Sequence, residues 1–354
     1  MKITRSDVAR MAGVSPAVVS YVTNGGPRPV STSTRARVEA AIEALGYRPN
    51  ALANAFRDGR STSVGLLIPS PLNPYYAEMA QVIETELLAH GYLLSMGIST
   101  FNPEQDEAHL RSFEDRRMAG LVIASGASVT SSVAHQERSI GQVVLDEVPG
   151  LGIPSVYTDN HYDAARAVDH LQLHGHSVIG CIAGPVGWRD CEVRVDAWRS
   201  QQQSAGLPSG RELVTHGDVS EEGGSMALRI LLSDESYRSS RRRQKPTAVF
   251  VNSDVQAFGA LRACHELGIR VPDDLAIVSF DGVRQGLFSQ PRLTSMRRPL
   301  KEMVRAAVSI LLGDLEDRAG EHPVSPVHRA LRGNMLIGES CGCVPPITWH
   351  GGMS

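Results

Sequence analysis

The side chains best suited to chemistry fall into small groups along the 354-residue chain. His161, His170, His174 and His176 lie close together, Cys341-Gly342-Cys343 carries a thiol pair, and Arg241-Arg242-Arg243-Gln244-Lys245 is a basic run. Imidazole and thiolate are zinc ligands, but a structural site needs a tetrahedral set of them. No Cys or paired acid stands at ligand spacing from the histidines, which sit on or after a single helix, so solvated or capping roles are expected for them. Two thiolates make half a site, so Cys341 and Cys343 are expected in a free tail and no metal is expected. The basic run reads as a solvated loop. No Walker A loop, G-x-S-x-G elbow, H-E-x-x-H helix or G-x-G-x-x-G turn opens at a strand end, so neither an enzyme nor a cofactor is expected.

Charge offers a second kind of chemistry. The formal net charge is −3, yet residues 1–60 hold nine Lys/Arg against four acids, a balance of +5, while the remainder carries −8. Arg outnumbers Lys 32 to 3 throughout, so only the balance of the head, not its Arg content, points to a polyanionic partner. No run approaches the ~18 apolar residues of a membrane span, and the N-terminus has no apolar core of a secretory signal, so a cytoplasmic protein without membrane contact is expected. Five scattered cysteines, an odd number, fit reduced thiols.

These groups must be positioned by elements. Thr4-Arg5-Ser6-Asp7 has the capping-box pattern and predicts a helix start, with Val8, Met11 and Ala12 on its apolar face and Gly13 as a tight turn. Ser15 caps a second helix with Pro16 at its first position, and Val18, Val19 and Val22 supply contacts. A third helix is predicted over Thr32–Leu45, with Gly46 as its stop and Ser31 to Ser33 as caps. Helix, short turn, helix is the spacing of a helix-turn-helix, a weak signal alone. After it, Asn50–Arg57 spells a helix too short to be stable unaided.

The run Asp7-Val8-Ala9-Arg10-Met11-Ala12-Gly13-Val14-Ser15, then Thr34-Arg35 and Leu45-Gly46-Tyr47-Arg48-Pro49-Asn50-Ala51-Leu52-Ala53, closely resembles the head of the lactose-repressor (LacI/GalR-type) family of bacterial transcription regulators. The likeness continues through Asn73-Pro74-Tyr75-Tyr76, Asp159-Asn160, His174-Gly175-His176, Ser253-Asp254 and Phe280-Asp281. It implies an all-α helix-turn-helix head plus a two-lobed α/β body like a periplasmic binding protein. The implied boundaries are a head over 1–48, a hinge helix and linker over 49–63, the effector-binding and dimerisation body over 64–340, and a flexible tail over 341–354.

The resemblance further implies a homodimer on a roughly palindromic double-stranded DNA operator, with each second helix in a major groove. Base reading then falls to Pro16, Ala17 and Tyr21, where the first two offer only apolar contact and specificity leans on DNA shape. Thr4, Ser15, Ser20, Asn24, Arg28 and Arg35 become candidate phosphate contacts. In the hinge, Asn50, Ala53, Asn54 and Arg57 face DNA, and Phe56 stands where the family usually places a Leu wedge. For the body it implies a small effector, most simply a sugar, held by Tyr75, Tyr76, Asp146, Trp188, Arg194, Val219, Ser253 and Asp281. Arg and Asp give bidentate hydrogen bonds to hydroxyl-rich ligands, with rings as platforms.

The body's own pattern agrees. Apolar runs at 64–69, 92–98, 120–124, 142–146, 155–158, 178–183, 213–216, 248–252 and 275–280 alternate with amphipathic helices such as 77–90 and 255–267, which predicts parallel α/β structure. So long a segment exceeds one open-sheet core, hence two lobes.

Overall fold

The structure is a computed structural model, which describes residues 3–24, 29–47, 61–99, 102–124, 140–150, 152–233, 245–317 and 327–344. The chain divides into two compact units, Met1–Thr62 and Ser63–Ser354.

The head packs three helices, α1 (Arg5–Ala12), α2 (Pro16–Asn24) and α3 (Thr32–Leu45). The capping box forms as predicted, with the Thr4 amide donating to Asp7 Oδ2 at 2.9 Å. Gly13 ends α1 at φ 64°, a left-handed conformation that a side chain would strain, and so turns the chain into α2. Ser31 Oγ caps α3 by accepting from the Thr34 amide. Val8, Ala9, Ala12, Val19, Val38 and Ala41 make the core. Met11, expected on the inner face, is 57% exposed, and Ala9, on the other flank of the Val8–Ala12 stripe, is buried instead.

The body is two six-stranded sheets. In the first lobe, β1 (Ser63–Ile68), α4 (Pro74–Ala89), β2 (Leu93–Ile98), α5 (Pro103–Asp115), β3 (Gly120–Ile123), β4 (Gly141–Val144) and β5 (Ser155–Thr158) alternate. The second lobe follows with α6 (Asn160–Leu173), β6 (Ile179–Ala183), α7 (Arg189–Ser204), β7 (Val214–His216), α8 (Glu221–Leu232), β8 (Ala248–Val251), α9 (Asp254–Leu267), β9 (Ala276–Asp281) and β10 (Thr294–Arg297). The chain then returns to the first lobe for α10 (Leu300–Asp317) and β11 (His328–Leu331), and ends in the second with β12 (Asn334–Leu336). Strand orders are β11-β5-β4-β3-β1-β2 and β12-β10-β9-β8-β6-β7, and among the described residues only the β10–β12 pair is antiparallel. Strands β3, β6 and β8 are buried along their whole length, as central strands covered on both faces must be.

Three crossings therefore join the lobes, at 158–160, 297–300 and 331–334. They are tied to one another: Arg298 Nε donates to Thr158 Oγ1 at 2.9 Å, Arg332 Nε lies 3.2 Å from Asp159 Oδ2, and the Gly333 amide donates to Asp163 Oδ2 at 2.7 Å. Burial lifts the Asp163 carboxyl to about 6, from an ordinary 3.8. The folded body thus keeps a proton, between those values, that the unfolded chain has lost, so this group's stabilising contribution is full below about 4 and disappears as pH rises through about 6. Asp163→Asn retains an acceptor for the Gly333 amide and should remove that part of the slope. Denaturant midpoints of both proteins across this window check it; parallel pH profiles would refute it.

Candidate functional site

On the head, α2 begins with Ser15 Oγ accepting from the Val18 amide at 3.4 Å. Pro16 and Ala17 are exposed, Ser20 and Tyr21 half-exposed, and Val19 is buried beneath them. The first turn of α2 thus offers apolar atoms outward, with one phenol a turn later. The Thr4 hydroxyl donates to Asp7 Oδ2 at 2.6 Å, so its proton already serves the cap. Arg35 is exposed, 3.9 Å from Glu39. Arg28, Asn50, Ala53, Asn54, Phe56 and Arg57, and the side chain of Asn24, lie outside the described residues.

In the body, the loops leaving the carboxyl ends of the strands converge on a cavity of about 310 Å³ between the lobes. That is where parallel sheets expose backbone ends and helix starts to a ligand. Tyr75, Tyr76, Asp146, Trp188, Arg194, Val219, Ser253 and Asp281 all line it. Asn73 caps α4, accepting from the Tyr75 amide at 3.0 Å, and so sets Tyr75 and Tyr76 edge to face with centroids 5.3 Å apart. The Tyr75 hydroxyl is buried without a partner among the described residues.

Arg194, from α7, is held on several sides. Its guanidinium donates from Nε to Asn160 Oδ1 at 2.9 Å and from Nη1 to the Asn252 carbonyl at 2.7 Å. It lies 3.8 Å over the Phe280 ring, with Asp281 at 4.0 Å and Asp190 at 3.9 Å. Asp281 holds φ 109°, a left-handed conformation rare outside Gly, which aims its carboxylate into the cavity. The turn beyond it is anchored by Asp254: the carboxylate accepts from Ser279 Oγ, from Ser295 Oγ at 2.6 Å and from the Val283 amide at 2.7 Å. Burial and then the Asp281 charge push Asp254 up to about 7. Asp146 is held well above the usual carboxylate range by burial and then by the charge of Asp190 on the opposite lobe.

The N-terminus of α9 is fixed by backbone contact. A Cβ on Gly224 would strike the Gln256 carbonyl, and one on Gly259 the Glu221 carbonyl, so α8 and α9 meet closely at these glycines. Gln256 Nε2 then reaches the carbonyls of Ala183, Gly217 and Asp218 at 3.1–3.2 Å and holds the Val219 loop.

Several lining residues were not among those expected from sequence: Asn73, Asp190, Asn252, Gln256 and Arg298. Arg298 stacks 4.3 Å from the Tyr75 ring, and its signal was the Arg-Arg-Pro step that ends β10. The histidines and cysteines also differ from expectation. Cys341 is 1% exposed and belongs to the second lobe's core, with Cys343 packed against it, so neither lies in the free tail expected for them. Its Sγ lies 3.3 Å from His170 Nε2, and Cys343 Sγ lies 3.2 Å from His174 Nε2.

Comparison with known proteins accords with this geometry. The family model "Bacterial regulatory proteins, lacI family" matches residues 4–50, and "Periplasmic binding protein-like domain" matches 168–341. Over 344 residues, 97% of each chain, the protein is 30% identical to the HTH-type transcriptional repressor CytR of Escherichia coli strain K12. The chain belongs to the LacI family. It is 33% identical over 335 residues, 93% of this chain and 95% of the other, to the HTH-type transcriptional repressor PurR of Photorhabdus laumondii. The Lac repressor dimer bound to operator and the anti-inducer ONPF shares the fold, with TM-score 0.82 at 23% identity, covering 96% of this chain and 99% of that one. A transcriptional regulator CelR–cellobiose complex aligns with TM-score 0.66 at 26% identity over 96% and 100% of the two chains. As a LacI-family member the protein is a DNA-binding transcription regulator, with a helix-turn-helix head and an effector-binding body.

Proposed function

We propose that this regulator is a repressor, binding a roughly palindromic operator as a homodimer in the cytoplasm, and that a small hydroxyl-rich ligand, most simply a sugar, sets its grip. The observation that carries this reading is the convergence of Tyr75 and Asp146 from one lobe and Arg194 and Asp281 from the other on a single cavity. A ligand gripped from both sides binds the closed arrangement better, and only such differential affinity can shift a conformational balance; moving it from 1:99 to 99:1 takes about 5.5 kcal/mol. The relative solved with cellobiose supports the sugar class. Exposed apolar side chains on β2 (Leu93, Met96) and α8 (Met226, Ile230) support self-association.

On the head, Pro16, Ala17 and Tyr21 read bases, while Ser15, Ser20, Asn24, Arg28 and Arg35 touch phosphates, with Thr4 at the margin. In the hinge, Asn50, Ala53, Asn54 and Arg57 face the minor groove and Phe56 is the wedge. Gel retardation with genomic fragments around the protein's own gene tests this: specific binding should fall by about 10³-fold or more between 50 and 200 mM salt. Phe56→Ala should weaken operator binding at least about tenfold, as loss of a buried anchor does, and leave ligand affinity unchanged. No specific, salt-sensitive complex at any fragment would overturn the reading.

A further inference from the structure

His170 and His174 stand one turn apart at the end of α6, on the same helix face, with rings 4.6 Å apart. Cys341 and Cys343 come from the segment after β12, 171 residues away from His170 for the nearer pair. One ligand atom from each of the four lies within 4.8 Å of all the others. Three of these separations are 3.2, 3.3 and 3.7 Å. A tetrahedron with zinc–nitrogen and zinc–sulfur bonds of ordinary length has edges of about 3.5 Å.

We propose that these four side chains form a closed Cys₂His₂ site for a zinc ion. The donor set is what zinc takes in structural sites, and its members are unrelated to the effector cavity. The site is preformed on the cysteine side. Ser340 Oγ donates to the Ile277 carbonyl and accepts from the Thr294 amide, which straps the residue before Cys341 to β9 and β10. Thr294 Oγ1 lies 3.0 Å from Cys341 Sγ and donates to it, an outer-shell bond that supports a thiolate ligand. Gly342, at φ 91°, takes the left-handed turn that brings Cys343 back beside Cys341. Cys341 is buried while His174 is exposed, so an ion has both an anchored side and an entrance. Bound there, it would tie the helix that starts at one lobe crossing to the segment that follows another.

The test uses the full-length protein, stripped with a chelator under a thiol-free reductant and titrated with Co²⁺, then Zn²⁺. The expected result is intense visible bands of four-coordinate cobalt with thiolate charge transfer, saturating at one ion per chain and abolished by zinc. His174→Ala and Cys343→Ser should each weaken zinc binding more than about a hundredfold, beyond the effect of losing an outer-shell partner. His176→Ala, a neighbouring imidazole that pairs with Thr247 instead, should leave binding unchanged. Metal-free melting of the variants at the wild-type temperature establishes that they fold. A weak octahedral cobalt spectrum, or bands that survive both ligand substitutions, overturns the site.

Discussion

Arg194→Met should lower the stability of the body by about 3–5 kcal/mol, the range expected when one partner of a buried charge pair is removed. Arg194 is 5% exposed and Asp281 7%, so the carboxylate left behind cannot recover its hydration. The Asn160 side-chain oxygen and the Asn252 carbonyl lose their donor at the same time. Arg298 remains near Asp281 and limits the loss, because its charge also lowers that carboxyl. Arg194→Lys keeps the charge but cannot serve two acceptors in one plane while stacking on Phe280, so it should fall between the two. Screened against a panel of sugars, the wild type should melt several degrees higher with its ligand at a hundred times Kd, which is worth about 2.7 kcal/mol. Arg194→Met should show no such shift with any member. An undiminished shift would remove Arg194 from the ligand contacts.

Asp254→Ala should be the second large loss, about 3–4 kcal/mol, because the Val283 amide and the hydroxyls of Ser279 and Ser295 lose a common acceptor in a dry site. The effect should reach the cavity as well, since these bonds hold the turn that follows Asp281. Asp254→Asn keeps one acceptor oxygen and should cost about 1–2 kcal/mol. It also removes a titration. With the folded carboxyl raised to about 7, the wild type's stabilisation from this group is full below its ordinary 3.8 and is lost as pH rises through 7, and the Asn variant should lack that slope. Urea denaturation at pH 5 and pH 8 measures both quantities; equal losses for Ala and Asn would mean that the hydrogen bonds contribute little.

The head was legible because its signals are local. Thr4, Gly13, Ser15 and Ser31 each act within a few residues of their own position, and caps and turns of that kind can be read without knowing the fold. Met11 was misplaced because Met11 and Ala9 flank the Val8–Ala12 stripe on opposite sides, and the packing buries the Ala9 side. The central strands were legible as apolar runs. Strands β10, β11 and β12 were not, since Thr-Ser-Met-Arg, His-Arg-Ala-Leu and Asn-Met-Leu carry neither length nor alternation and are made strands by their neighbours. Arg298 went unread with them. The cavity residues Tyr75, Asp146, Arg194 and Asp281 came from family likeness rather than from pattern, and the fold places them on one cavity. His174 and Cys343 could not be paired from spacing, because only the return of the chain to the second sheet places them side by side.

The order in which the chain crosses between lobes also has a meaning in time. The first lobe's sheet lacks its edge strand β11, and its core lacks Met303, Val304 and Leu311 of α10, until nearly the whole second lobe has been made. At about 5–20 residues per second, a ribosome would take roughly ten to thirty seconds to pass from β5 to β11. A nascent chain therefore carries a complete basic head well before it has a complete effector-binding body. A half-made regulator has only its head to offer DNA, and control of that contact by a ligand waits for release of the last strands.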